Sequence, residues 1–332
     1  MNFCVLGAGA WGTAMAVHLV RQGQNVTLVP RRHEQALALA SARENQLYLP
    51  GVPLDNELQI ACEIKPALME AEVILVACPV AGLPDISGQI SDCLESAWRA
   101  HTFLTLCKGW ESGSSMPPPA YIKQVLPEQH VGILSGPNNA REIAEGKPAA
   151  IVLATRENPH AKQIQQAISD QSLRVYTSTD VEGVSLGGAL KNIYAIGSGI
   201  CTGLGLGDNA TAAFLTRALN EMVRVGSMLG GQRESIYGLS GFGDLIATST
   251  GNWSRNRTFG VNIGEGSQIK TLLQNRHTVV EGYKATETFF RICRENGLEA
   301  PILQETHGIL YDGKSPDTAL HNLMTRDLKA EG

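Results

Sequence analysis

The chain has 332 residues, enough for one large or two ordinary domains, and an apolar share of 43% that can form a sizeable core. A formal net charge of −5 without a long basic run argues against nonspecific nucleic-acid binding, and no apolar run reaches the roughly 18 residues of a membrane helix. Seven cysteines without a CxxC pattern, and an N-terminus that enters a strand directly, predict a cytoplasmic protein without a zinc site, disulfide framework or signal peptide.

The first motif is a glycine-rich turn between a predicted strand and a predicted helix. The apolar residues 3–6 lead into Gly7-x-Gly9-x-x-Gly12, and a helical pattern follows at once. In a dinucleotide site the first glycine makes a tight turn, the second lets the backbone approach a pyrophosphate, and the third lets helix and strand pack closely. N–H groups at the helix start favour phosphate. We therefore predict a dinucleotide site; the alternative is a plain glycine-rich turn.

The end of the second predicted strand, residues 24–29, indicates which dinucleotide fits. In a site that prefers NAD, an acidic residue at this point binds the ribose 2′-hydroxyl. This chain has Arg31 and Arg32 there, and guanidinium groups suit a 2′-phosphate. We predict NADPH as the preferred cofactor and NADH as the other candidate. The alternative is that both arginines are solvated or stack on adenine.

Further strands are predicted from continuous apolar runs at residues 73–78, 102–107 and 131–135, with a short edge strand at 57–62 and a loop at 43–51. Loops after such strands carry ligands, so Lys108, which follows one of them beside Gly109, is a candidate site residue rather than a merely solvated lysine. The alternation of strands and helices stops near residue 180. We therefore predict a dinucleotide-binding domain at 1–180 and a helical substrate domain at 181–332.

The predicted helical domain opens with an apolar helix that contains one lysine. Residues 184–200 are apolar nearly all round, which predicts a buried helix. Glycine in a helix costs roughly 1 kcal/mol relative to alanine, so the glycines here predict that another helix or a ligand approaches closely. A lysine in such a helix either pairs with an opposite charge, extends its amine to the surface, or serves acid–base catalysis. For Lys191 we favour catalysis.

Two later segments carry further candidate polar groups. Residues 237–245 predict a glycine-rich loop with Asp244, which either belongs to the site or caps the next helix. Residues 248–257 bring hydroxyls, amides and two arginines to the start of a predicted helix, which favours an anion site. The alternative there is an ordinary serine N-cap with surface arginines. The chain after residue 310 is predicted to be a polar tail.

Together these features predict a dehydrogenase for a small phosphorylated carbonyl or alcohol. A ketone that accepts hydride develops negative charge on oxygen, which a nearby ammonium can stabilise and protonate. Two alternatives stay open: a hydroxy-acid dehydrogenase of the same two-domain plan, and a sensor that binds NADPH without turnover.

The chain resembles, nearly end to end, the NAD(P)-dependent glycerol-3-phosphate dehydrogenases of the bacterial biosynthetic type. The most specific motifs are Leu-Gly-Gly-Ala-Leu-Lys-Asn at 186–192 and Ser-Arg-Asn-Arg at 254–257. Supporting motifs lie at 7–13, 45–50, 108–109, 135–137, 203–209, 241–245 and 280–282. The resemblance implies an α/β Rossmann-like domain with a mostly parallel sheet, followed by an all-α domain like that of 6-phosphogluconate dehydrogenase.

The resemblance also implies an activity and a set of site residues. The activity is reduction of dihydroxyacetone phosphate by NAD(P)H to sn-glycerol 3-phosphate for phospholipid synthesis, with Lys191 as proton donor and acceptor and Asp244 beside it in catalysis. The implied substrate-binding residues are Lys108, Gly136, Asn138, Lys191, Asp244, Ser254, Arg255 and Asn256. The implied cofactor-binding residues, which join Gly7, Gly9 and Gly12, are Ala10, Trp11, Arg31, Arg32, Lys108, Ala140, Arg255, Val279 and Glu281.

Three departures from the family pattern lie close to these positions. Cys107 stands where a threonine is usual, Asn139 stands where a bulky residue is usual, and Trp110 begins an atypical loop that leads to three prolines. They bear on the cofactor contacts expected at Asn138 and Ala140. The sequence does not define the oligomeric state, for which a homodimer is one candidate.

Overall fold

The chain, seen in a computed structural model, divides into two compact units, Met1–Ser185 and Leu186–Gly332. The structure describes residues 1–94, 102–110, 116–156, 158–274, 280–328 and 330–331. The division between the units falls inside one long helix, Val181–Gly203, whose start coincides with the predicted boundary after residue 180. The division into separate domains at 1–180 and 181–332 stays a prediction.

The first unit is an α/β layer structure. Its strands are β1 (Asn2–Leu6), β2 (Asn25–Val29), β3 (Glu44–Asn45), β4 (Leu49–Pro53), β5 (Gln59–Ile60), β6 (Val73–Val76), β7 (Thr102–Thr105), β8 (His130–Ser135), β9 (Ala149–Thr155) and β10 (Leu173–Ser178). Its helices are α1 (Ala10–Arg21), α2 (His33–Ala42), α3 (Ile64–Glu70), α4 (Leu83–Cys93), α5 (Pro118–Val125), α6 (Ala140–Ala144) and α7 (Ala161–Ile168), with a 3₁₀ turn at Val80–Gly82.

Eight of these strands form one sheet in the order β10-β9-β8-β7-β6-β1-β2-β5. Neighbours run parallel except β8 and β9, which are antiparallel. The predicted mostly parallel sheet is confirmed, and so is the short edge strand. The carboxyl ends of β1, β2, β6, β7 and β8 therefore share one edge, which is where ligands bind in sheets of this kind.

Successive residues of the central strands belong to opposite faces of the sheet. Phe3 and Val5 of β1 pack in one hydrophobic cluster with α1 and α7, whereas Cys4 and Leu6 pack in a second cluster with α3 and α4. A strand whose side chains alternate between two buried faces has no polar side, which explains the continuous apolar runs in the sequence.

The prediction of a loop at residues 43–51 is wrong. β3 and β4 form an antiparallel hairpin in which Glu44 lies opposite Pro53. The proline and glycine in this segment are typical of turns, and strands this short have no alternation that a pattern search can detect.

The second unit is helical in every element that its described residues form. After α8 (Val181–Gly203), which begins in the first unit, its helices are α9 (Gly207–Met228), α10 (Arg233–Tyr237), α11 (Asp244–Thr250), α12 (Arg255–Gly264), α13 (Ile269–Gln274), α14 (Glu281–Glu295), α15 (Pro301–Tyr311) and α16 (Pro316–Met324). The all-α prediction is confirmed. Within the described residues, no helix is both long and apolar enough to cross a membrane.

Glycines let neighbouring segments approach α8, as its sequence predicts. A Cβ at Gly197 would lie 2.4 Å from Phe214 of α9, and a Cβ at Gly199 would lie 2.2 Å from the carbonyl oxygen of Arg257 in α12. The backbone oxygen of Arg257 excludes any side chain at Gly199, and a side chain at Gly197 would require the Phe214 ring to move. The close neighbours are therefore helices, which is one of the two explanations that the sequence allows.

One prediction about an irregular segment is wrong. The predicted loop at 237–245 is a π-helical turn, Leu239–Gly243, that runs directly into α11. Its Gly241 packs so closely that a Cβ there would lie 2.1 Å from the carbonyl oxygen of Ile236. The predicted polar tail contains α16, whose N-cap Ser315 accepts a hydrogen bond from the N–H of Thr318. The glycine content of residues 237–245 indicates a loop, but close packing makes this segment helical, whereas the tail is mostly exposed, as its polar sequence predicts.

Candidate active site

The glycine turn at the start of α1 has the geometry that a dinucleotide requires. Gly7 has φ +111°, and a Cβ there would lie 2.5 Å from the carbonyl oxygen of Ala77. A Cβ at Gly12 would lie 2.1 Å from the carbonyl oxygen of Gly7, so this position also excludes any side chain. At Gly9, by contrast, no described atom lies within 4 Å of the Cβ position. The backbone is thus open at the N-cap of α1, where N–H groups suit a pyrophosphate.

A side chain from the β3–β4 hairpin holds this turn in place. The buried Asn45 donates through Nδ2 to the carbonyl oxygen of Ala8 at 3.0 Å and to Oγ1 of Thr13 at 2.8 Å. The amide thus bridges the turn and the first helical turn of α1. This role of Asn45 was not predicted from the sequence, although Asn45 begins one of the motifs on which the family resemblance depends.

The other candidate cofactor residues of the first unit lie along the carboxyl edge of the sheet. Ala10 and Trp11 form the first positions of α1, and Nε1 of Trp11 is buried without a hydrogen-bond partner among the described residues. Arg31 and Arg32 follow β2, and both are exposed. Solvent-facing guanidinium groups at this point fit the predicted contact with a 2′-phosphate, which stays a prediction.

Lys108 joins the ends of β7 and β8. Its Nζ donates to the carbonyl oxygen of Gly136 at 2.8 Å and to Oδ1 of Asn138 at 2.5 Å. Gly136 has φ +133°, and a Cβ there would lie 3.0 Å from Cα of Ile151, so glycine is required. Nδ2 of Asn138 is buried without a partner among the described residues. The three predicted substrate residues of this unit therefore lie together.

Asn139, one of the three departures from the family pattern, has a structural function. It is the N-cap of α6, and its Oδ1 accepts from the N–H groups of Arg141 at 3.0 Å and Glu142 at 3.4 Å. Ala140, a predicted cofactor residue, is the first residue of this helix. Asn139 thus supplies a helix cap where the family usually has a bulky side chain, and Ala140 stays at the start of the helix.

In the second unit, Lys191 lies in a buried polar cluster with α11. Its Nζ donates to Oγ1 of Thr248 at 2.7 Å and lies 3.3 Å from Oδ1 of Asp244. The threonine hydroxyl in turn donates to Oδ1 of Asp244 at 3.2 Å. The side chains of Lys191 and Asp244 are only 7% and 1% exposed. A buried ammonium requires such a carboxylate partner, and the pair fixes where the amine points.

Thr248 lies in the segment 248–257 that the sequence predicts as an anion site, but its contact with Lys191 was not predicted. It lies four positions after Asp244 on α11, so both side chains share one face of the helix. This i, i+4 spacing is the signal that could have identified it once α11 was recognised as a helix. The predicted loop at 237–245 concealed that spacing.

A second polar chain connects α8, α12 and α14. Asn256 donates through Nδ2 to Oδ1 of Asn192 at 2.8 Å, and its Oδ1 accepts from the N–H of Gly282 at 3.0 Å. A Cβ at Gly282 would lie 2.5 Å from the carbonyl oxygen of Asn192. The predicted residues Asn256 and Glu281 are thereby brought towards Asn192, the residue that follows Lys191. Asn192 itself was not predicted as a site residue.

The remaining candidates lie around the start of α12 and α14. Ser254 is buried and caps α12, where its Oγ accepts from the N–H of Arg257 at 3.2 Å, as the alternative interpretation expects. Arg255 is exposed at the first position of α12, and Glu281 is the first residue of α14. Val279 lies outside the described residues. Within the described part of the chain, no group of His, Cys, Asp and Glu side chains is arranged to hold a metal ion.

Comparisons with known proteins identify relatives of both units. The N-terminal profile of the NAD-dependent glycerol-3-phosphate dehydrogenases matches residues 2–161, and the C-terminal profile matches residues 180–321. A Thermoanaerobacter protein named glycerol-3-phosphate dehydrogenase (NAD(P)+) is 40% identical over 331 residues, which cover 100% of this chain and 99% of that protein. A Nitrosomonas eutropha protein of the same name is 41% identical over 332 residues, with the same coverage.

A solved structure shares the fold. The crystal structure of glycerol-3-phosphate dehydrogenase from Coxiella burnetii matches with a TM-score of 0.91 and 34% identity, and the match covers 98% of each chain.

Proposed function

We infer the function from one premise, namely that the chain belongs to the NAD-dependent glycerol-3-phosphate dehydrogenase family. We propose that it reduces dihydroxyacetone phosphate to sn-glycerol 3-phosphate. The observation that carries the proposal is the buried amine of Lys191, held by Asp244 and Thr248. When bound, the reduced nicotinamide supplies the hydride.

At the substrate carbonyl, the protein must stabilise negative charge and deliver one proton. As the carbonyl carbon becomes a secondary alcohol, negative charge develops on its oxygen, and the ammonium of Lys191 stabilises that charge. Nζ then gives up a proton to the oxygen and is reprotonated from solvent. Asp244 and Thr248 orient the amine, so little reorganisation is needed when the proton moves.

The phosphate end of the substrate requires cationic and N–H donors. We assign it to Arg255, with Ser254 and Asn256 beside it at the start of α12, where the helix terminus also favours an anion. Lys108, Gly136 and Asn138 are proposed as the substrate contacts contributed by the first unit.

For the cofactor, we propose the glycine turn as the pyrophosphate site. Arg31 and Arg32 would then favour NADPH over NADH through charge-assisted hydrogen bonds to the 2′-phosphate. The other proposed cofactor positions are Ala10, Trp11, Lys108, Ala140, Arg255, Val279 and Glu281.

The cellular setting follows from the same proposal. The substrate is a small phosphorylated molecule, and we place the reaction in the cytoplasm, where its product supplies phospholipid synthesis. A homodimer is the assembly that we propose, and light scattering of the purified protein tests it.

The activity is tested by mixing the purified protein with NADPH and dihydroxyacetone phosphate and following the absorbance of the reduced nicotinamide. We expect the absorbance to fall with this substrate and not with a 2-keto acid. A fall only with the keto acid would support a hydroxy-acid dehydrogenase, and tight NADPH binding without any fall would support a sensor. Either result contradicts the proposal.

A further inference from the structure

Two thiols lie side by side at the carboxyl edge of the sheet. Val76 of β6 is opposite Thr105 of β7, and Cys78 and Cys107 follow these residues at the same distance along each chain. Their Sγ atoms are 3.8 Å apart, and Sγ of Cys107 donates to the carbonyl oxygen of Cys78 at 2.9 Å. Both sulfurs are reduced.

This placement suits a disulfide. Neighbouring strands are separated by about 4.8 Å, and disulfides bridge Cα atoms that are roughly 4.4–6.8 Å apart. To bond, the sulfurs must approach to about 2.05 Å, a movement of less than about 2 Å that side-chain rotation and small shifts of the strand ends can supply.

The bond would act on a functionally placed pair of loops. Cys107 directly precedes Lys108, and a Cβ at Gly109 would lie 2.9 Å from Cγ2 of Val80, so the segments after β6 and β7 are packed together. The residue before Cys78, Ala77, contacts the glycine turn at Gly7. Drawing the two sulfurs together would therefore shift Lys108 relative to Gly136 and Asn138.

The exposure of the pair determines which oxidant can reach it. Cys78 is partly exposed, whereas Cys107 is 4% exposed. The hydrogen bond with Cys107 and, to a smaller extent, burial raise the pKa of the Cys78 thiol. The thiolate is the reactive form, so the reaction is slow and favours a small, uncharged oxidant present in excess.

We propose that Cys78 and Cys107 form a modification site at which hydrogen peroxide produces a reversible disulfide that slows turnover. Cys78 attacks one peroxide oxygen, the O–O bond breaks, and water leaves with a sulfenic acid on Cys78. Sγ of Cys107 then displaces the sulfenic oxygen, which leaves as a second water. Two thiols lose two protons and two electrons, and one peroxide is reduced to two waters. A dithiol reverses the reaction by exchange.

The chemical step is tested by mass spectrometry, which does not depend on any assay of activity. After treatment with peroxide we expect the intact protein to lose about 2 Da, since two thiol hydrogens leave, and a digest to contain one cross-linked peptide pair with Cys78 and Cys107. Cys107→Thr, which restores the residue usual in the family, and Cys78→Ser should both lack the cross-link. Oxidation of Cys78 to a sulfinic acid, or the absence of a cross-link, would overturn the proposal.

The functional consequence rests on the proposed function and is measured separately. Turnover with dihydroxyacetone phosphate should fall at least about tenfold in the oxidised protein, because misplacement by about 1 Å is enough for such a loss, and it should recover with a dithiol. Cys107→Thr should keep its turnover under peroxide, whereas Cys62→Ser, which removes an exposed thiol, should lose it as the wild type does. An equal loss in Cys107→Thr, or a cross-link without loss of turnover, contradicts the switch. If the proposed reaction itself is wrong, unoxidised protein has no activity, and the cross-link is still seen.

Discussion

The two units build their candidate sites from different parts of the chain. In the first unit, the backbone makes the site, because glycines at positions 7 and 12 exclude any side chain and an open N-cap at Gly9 exposes N–H groups. In the second unit, buried side chains make the site, because Lys191, Asp244 and Thr248 hold one another through hydrogen bonds and charge.

The difference predicts how each site responds to change. A backbone site depends on shape, so an added methyl group damages it, whereas a change of charge nearby alters its preference between cofactors. In a buried charge cluster each charge is balanced by a partner of opposite charge, so removing one partner leaves the other charge unpaired in the interior. The following variants are chosen to separate these two kinds of site.

The largest effect is expected for Lys191→Ala. The variant lacks the proton donor, so kcat should fall by about 10²–10⁴-fold, while the affinity for NADPH stays close to that of the wild type. Steady-state kinetics and a fluorescence titration with NADPH measure the two quantities. Lys284→Ala removes an exposed lysine of the same unit and should leave both unchanged. Loss of NADPH binding in Lys191→Ala would instead assign the lysine a structural role.

A pair of glycine variants tests the backbone site. Gly12→Ala places a Cβ 2.1 Å from a backbone oxygen and should lower both the melting temperature and NADPH binding severely. Gly9→Ala meets no described atom within 4 Å and should keep the melting temperature, but it should weaken NADPH binding about tenfold by occupying the pyrophosphate space. Equal melting temperatures for the two variants, or wild-type binding by Gly9→Ala, would contradict this account.

A charge reversal at the same edge should have a selective effect. Arg31→Glu should lower the preference for NADPH over NADH by about tenfold, because a charge-assisted hydrogen bond to the 2′-phosphate is replaced by repulsion. The ratio of kcat/KM values for the two cofactors measures it. Lys162→Glu makes the same change of net charge at an exposed position of α7 and should leave the ratio unchanged. An unaltered ratio in Arg31→Glu would mean that this arginine does not contact the 2′-phosphate.

The smallest effect concerns the stability of the first unit at acid pH. His18 of α1 is buried, its Nε2 lies 2.7 Å from the carbonyl oxygen of Ile168, and burial lowers its pKa below the usual 6.5. The folded state then binds fewer protons than the unfolded state. The contribution of the neutral His18 to the free energy of unfolding is therefore fully present above about pH 6.5 and decreases as the pH falls below that value.

The expected slope for His18 is at most about 1.4 kcal/mol per pH unit, the limit for one proton. His18→Gln retains a donor for the carbonyl group but does not titrate, so its free energy of unfolding should fall less between pH 7 and pH 5. Urea unfolding at several pH values measures this difference. Parallel pH profiles for the two proteins would show that His18 does not cause the acid sensitivity.

The sequence predicts the first site better than the second because the first is local. Gly7, Gly9 and Gly12 are contiguous with the strand and helix that give them meaning, so spacing alone reveals the turn. Lys191 and Thr248 are 57 residues apart, and Asn192 and Asn256 are 64 apart, so only the packed helices bring them together. Lys191 stood out from its apolar neighbours, but its partner Thr248 did not.

The same reasoning explains the support of the glycine turn. Asn45 reaches Ala8 from 37 residues away, across a hairpin that glycine and proline content had predicted as a loop. The family resemblance indicated that residues 45–50 matter, and the fold supplies the reason. Site residues that act through long-range hydrogen bonds therefore needed coordinates, whereas the architecture of both units did not.

Chemical rescue of Lys191→Ala tests the central claim, that the buried amine transfers the proton, most directly. Added methylamine or ethylamine should enter the space left by the side chain and raise the kcat for dihydroxyacetone phosphate in a saturable manner, with no effect on the wild type. The rescued rate should depend on the concentration of the protonated amine, because that form donates the proton. A variant that stays inactive at every amine concentration while it still binds NADPH, or equal stimulation of the wild type, would contradict the account.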